Sequence, residues 1–64
     1  MKVKVTVSDK YMGGFTRDVE VNTQEEFDAV KEEWSRYPQT KDFSTTVVLN
    51  WMDTDGTPMV LQLL

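Results

Sequence analysis

Carboxylates are the side chains best placed to do chemistry in this chain. The sequence holds 11 Asp and Glu against 7 Lys and Arg, with no histidine and no cysteine. The commonest general base and the thiol nucleophile are both absent. Acid–base work would fall to carboxylate pairs: Asp18 with Glu20, Glu25 with Asp28, Asp53 with Asp55. Asp18 and Glu20 lie two apart in a strand pattern, near Lys2 and Lys4 across a hairpin. That spacing reads as cross-strand ion pairs on a solvated face. A catalytic pair also needs a cleft, and ligand pockets of about 300–1,000 Å³ are hard to build into so short a chain. No enzymatic activity and no cofactor are expected.

Two loops invite ligand readings. In Asp53-Thr54-Asp55-Gly56, a calcium-loop register puts Gly56 sixth, Trp51 first and Gln62 twelfth. Neither end is the carboxylate that such a loop requires, so the segment reads as a tight turn and no metal is expected. Gly13-Gly14 is followed by a strand pattern, not by a Lys-Ser pair and a helix start, so it reads as a hairpin loop and not a phosphate cradle.

The elements that position these residues follow from periodicity. Lys2 to Ser8 alternates strictly, with Val3, Val5 and Val7 on one parity, which predicts a half-buried strand. Phe15 to Val21 alternates again. A hairpin register that opposes Val3 to Val21 and Val5 to Val19 also opposes Lys4 to Glu20 and Thr6 to Asp18. Arg17 then falls on the apolar parity opposite Val7, with its stem packed and its head in water. Thr23 and Glu26 form a capping box that starts a helix. Phe27, Val30, Trp34 and Tyr37 form its apolar stripe, and Pro38 ends it near Arg36.

Phe43 to Met52 is rich in Thr, Val and aromatic residues and predicts a third strand. A three-residue loop, Thr54-Asp55-Gly56, with Gly56 left-handed, leads to a last strand over Pro58 to Leu64. That register opposes Trp51 to Met59, Leu49 to Leu61 and Val47 to Leu63. The expected fold is α+β, in the order β-β-α-β-β, with one helix on one face of a four-stranded mixed sheet. The last strand is apolar on both parities, which argues for an interior place and a spatial order of 2-1-4-3.

This element order resembles that of the immunoglobulin-binding domains of streptococcal protein G and, more distantly, the ubiquitin-like β-grasp group. The resemblance spans residues 1–64 as topology, shares no motif, and implies a fold without a function. The chain ends Leu63-Leu64, not Gly-Gly, so conjugation is not expected.

At 64 residues and a net charge of -4, the chain reads as a single soluble domain near the lower limit for independent folding. No signal peptide or membrane span is evident, which points to the cytoplasm. The acidic balance argues against a nonspecific grip on nucleic acid, and a weak reader built on Lys2, Lys4 and Lys10 would lack stacking aromatics among those lysines.

What remains is binding to protein. With one helix to cover one face, Val48, Met52, Val60 and Leu64 are expected on the open face, bordered by Thr46, Asn50 and Gln62. A contiguous apolar group with a polar rim suggests a contact surface. Tyr11 and Met12, at a loop tip, are secondary candidates. The third strand, as an edge, would offer strand addition. The expected function is a noncatalytic protein-binding module, partnered by another protein or by itself as a homodimer. Small acidic inhibitors of larger enzymes, phage-encoded ones among them, share its size and charge. The alternative is a mimic of nucleic-acid phosphates acting through Glu25, Asp28 and Glu32 on the helix, and a third is a structural homo-oligomer.

Overall fold

The expected elements are present in a computed structural model that describes residues 1–10, 13–36 and 45–64. They are β1 (Lys2–Asp9), β2 (Gly13–Glu20), α1 (Gln24–Ser35), β3 (Thr46–Met52) and β4 (Pro58–Gln62). Residues 11, 12 and 37–44 lie outside the described set, and with them Tyr11, Met12, Tyr37 and the first residues of the expected third strand.

Alternation of β-branched residues makes β1 and β3 two-faced. Val3, Val5, Val47 and Leu49 are fully buried under the helix, with Val7 and Val21 beside them. From α1, Val30 and Trp34 complete this core, and Phe27 packs against it. The helix starts at the expected cap: the Glu26 amide donates to Thr23 Oγ1 at 3.1 Å, and the Glu26 carboxylate reaches one residue before the cap, where Oε2 accepts from the Asn22 amide at 3.1 Å. It ends at Arg36, whose amide turns back to the Glu33 carbonyl.

The sheet order is β2-β1-β3-β4, not 2-1-4-3. Every neighbouring pair is antiparallel, so the sheet is not mixed. It lacks the central parallel pairing of first and last strands that the order 2-1-4-3 implies. Since β2 and β3 each run antiparallel to β1, they run parallel to one another with β1 between them, and α1 links them. The strand taken as an edge, β3, is interior, and the strand taken as interior, β4, is an edge. The physical reason lies in burial: β3 contributes the fully buried Val47 and Leu49, whereas Pro58, Met59 and Val60 of β4 are exposed. A strand that opens with proline lacks one ladder donor, which suits an edge.

The first hairpin is shifted by two residues from the expected register. Val3 faces Val19, Val5 faces Arg17 and Val7 faces Phe15. Side-chain parity survives such a shift, so the same residues face the helix. The outer face gains from it, because Lys2 now faces Glu20 and Lys4 faces Asp18. Arg17 keeps its place on the helix side, with its guanidinium 5.8 Å from the ring centroids of both Phe15 and Trp34. The second hairpin has the expected register and turn: Trp51 faces Met59, Leu49 faces Leu61, and Gly56 has φ of 85°.

Candidate functional site

The open face of the sheet is built from the even-numbered residues. Reading across from β1, Thr6 faces Val48 and Lys4 faces Asn50; on the far side, Val48 faces Gln62, Asn50 faces Val60 and Met52 faces Pro58. Met52 is 57 % exposed and Val60 is 67 % exposed. Val48 is half-buried, since it sits on an interior strand with a neighbour on each side. A shallow groove of about 530 Å³ beside this corner is lined by Lys2, Lys4, Asn50, Met52, Pro58 and Val60 among others.

Leu64 does not belong to this face. It packs half-buried against the core. The ladder of β4 ends at Gln62, and the amides of Leu63 and Leu64 both donate to the Val47 carbonyl, at 2.8 and 3.4 Å. Two successive amides on one acceptor break the alternation that would have turned Leu64 outward. The expected cluster is therefore reduced to a corner of Met52 and Val60, with Val48 alongside. Pro58 joins it, a residue that its even parity would have found.

The hydrogen-bond alternation also settles what β4 presents at its margin. Leu63 donates to Val47 and Asp53 donates to Thr57, both pairs of odd-numbered residues. In an antiparallel ladder the bonded and non-bonded pairs alternate. Odd residues of β4 therefore bond β3, and Pro58, Val60 and Gln62 direct their main-chain groups away from it. Among the described residues no strand pairs with that margin. Val60 thus exposes its side chain on the open face and its main-chain groups at the sheet edge.

The acidic helix face is internally compensated. Asp28 pairs with Lys31 at 3.3 Å and accepts from Gln24 Nε2 at 3.0 Å. Glu32 pairs with Arg36. Of the three residues assigned to phosphate mimicry, two are engaged within the helix, and Glu25 is exposed in its first turn.

The loop carboxylates serve the turn. Asp53 Oδ1 accepts from the Thr54 amide at 2.8 Å, and Asp55 Oδ1 accepts from the Thr57 amide at 3.0 Å. Hydrogen bonds from Thr57, the side-chain one first and the backbone one after it, hold the Asp55 carboxyl below its ordinary value. Among the described residues no three Asp or Glu side chains gather as a metal site, and no described helix is long and apolar enough to cross a membrane. A second concavity, about 430 Å³, lies at the start of α1 between Phe27, Trp51 and Asp53. There Phe27 meets Trp51 edge-on, with centroids 4.8 Å apart.

No family model, curated protein or solved structure matches this chain.

Proposed function

We propose that the chain is a noncatalytic protein-binding module that meets its partner through the corner of Met52, Pro58 and Val60 on the open sheet face. The observation that carries this reading is the exposure of Met52 and Val60, 57 % and 67 %, on the face that α1 does not cover. Large apolar side chains grouped on an uncovered face are what interface cores are made of. The lack of histidine and cysteine favours binding over catalysis. By size and charge the chain suits the class of small acidic inhibitors that dock on a larger enzyme.

The test is retention of partner proteins from a cell lysate on the immobilised chain, compared with Met52→Lys. Wild type should hold partners as salt is raised to about 1 M, where surface charge is screened within about 3 Å, and the variant should lose them. Retention that Met52→Lys leaves unchanged overturns the proposal. If charge reversal at Glu25, Asp28 and Glu32 removes the partners instead, and salt strips them, the phosphate-mimic reading replaces it.

A further inference from the structure

We infer that β4 pairs with β4 of a second copy, joining two sheets edge to edge into one antiparallel sheet of twice the width. This rests on the proposed function in one respect: it takes the corner at Met52 and Val60 as an interface and names its occupant.

The two margins of the sheet are chemically unlike. Along β2, Arg17, Asp18 and Glu20 bring charge to the edge, the device by which natural sheets discourage pairing. Residues Pro58 to Leu64 include no charged side chain. Such an edge meets a copy of itself without placing like charges opposite one another, even in a chain of net charge -4. It lacks the protective features that would keep it apart, except for the proline at its start.

The spacing is self-complementary. The outward main-chain groups belong to Pro58, Val60 and Gln62. A twofold axis through Val60 would let its N–H donate to the carbonyl of Val60 in the second copy, and the reverse. It would also set Gln62 opposite Pro58, so the Gln62 N–H donates to the Pro58 carbonyl, and the missing proline N–H falls at the ends of the new ladder. On the outer face the two Val60 side chains meet. On the helix side Met59, 37 % exposed, meets Leu61, half-buried. Directly opposite side chains are within contact distance in such pairs. Because the axis stands perpendicular to the sheet, both helices lie on one side, and the two Met52–Val60 corners merge on the other.

The experiment uses sedimentation equilibrium from about 10 μM to about 1 mM protein, a range that brackets weak self-association. The wild-type chain should approach twice its monomer mass. Val60→Lys and Val60→Glu should each remain monomeric, since like charges then face each other across the axis. Mixed in equal amounts they should form the dimer again, with association at least tenfold tighter than either alone. Far-UV circular dichroism of each variant checks that it folds. In the wild type, the amides of Val60 and Gln62 should become protected from hydrogen exchange only as concentration rises. A wild-type chain that stays monomeric at about 1 mM overturns the inference. So does a dimer whose concentration-dependent protection falls on Thr16 and Asp18 of β2. Neither result touches the binding-module reading, which stands or falls on the Met52→Lys comparison.

Discussion

Asp55 shows how one residue can serve a turn and mislead as a ligand. Its exposed carboxylate is tied to Thr57 and held below its ordinary value of 3.8. A carboxyl whose folded value is depressed lends stability above its unfolded value and loses it as pH falls through the folded one. The second hairpin should therefore weaken as pH drops below about 4, and Asp55→Asn should show a smaller loss over that window. Thermal unfolding of both chains between neutral and acidic pH measures the difference. An equal loss in both would show that Asp55 contributes nothing to the acid response. At this scale the sequence was readable where a short-range rule governs: Gly56 needs a positive φ, and Thr23 needs a donor three residues on. It was not readable for Arg17, whose stacking against Phe15 and Trp34 ties β2 to α1.

Among the elements, the two hairpins differ in how firmly their loops fix them. The second hairpin closes on Thr54-Asp55-Gly56, a turn whose type sets the register, and the expected pairs Trp51–Met59 and Leu49–Leu61 are found in the ladder, which stops before Val47 and Leu63. The first hairpin has an apolar alternation that is satisfied equally by registers two residues apart. The structure chooses the one in which Lys2–Glu20 and Lys4–Asp18 both oppose unlike charges. A further constraint is invisible in the sequence. A Cβ on Gly14 would lie 2.2 Å from the Val7 carbonyl oxygen, so β1 and β2 approach too closely there for any side chain. Gly14→Ala should force the strands apart and destabilise the chain by about 1–3 kcal/mol, the usual cost of overpacking. Chemical denaturation checks this, and an unchanged midpoint would mean that the hairpin has room to relax.

For the molecule as a whole, the element list was legible and the strand order was not. Composition alone cannot rank β3 against β4, because both are apolar on both faces. What decides is which strand brings residues under α1, and Val47 and Leu49 do so more completely than Met59 and Leu61. Likewise, Met52 and Val60 were legible as outward residues from parity, whereas Leu64 was lost because the ladder stops before it. The order β2-β1-β3-β4 predicts that amides of β1 and β3, flanked on both sides, exchange slowest in dilute solution. Those of Thr16 and Asp18 at the β2 margin should exchange fast. Slow exchange throughout β4 with fast exchange in β3 would restore the order 2-1-4-3.

The place of β1 between β2 and β3 also bears on how the chain acquires its shape. One neighbour of β1 follows it within a few residues, but the other arrives late, with Val5 joining Leu49. A nascent chain leaving the ribosome can form its first hairpin and helix early, yet the inner flank of that hairpin stays bare until β3 emerges. Completion of the sheet therefore waits on β3, and the entropy of closing that long span sets its pace.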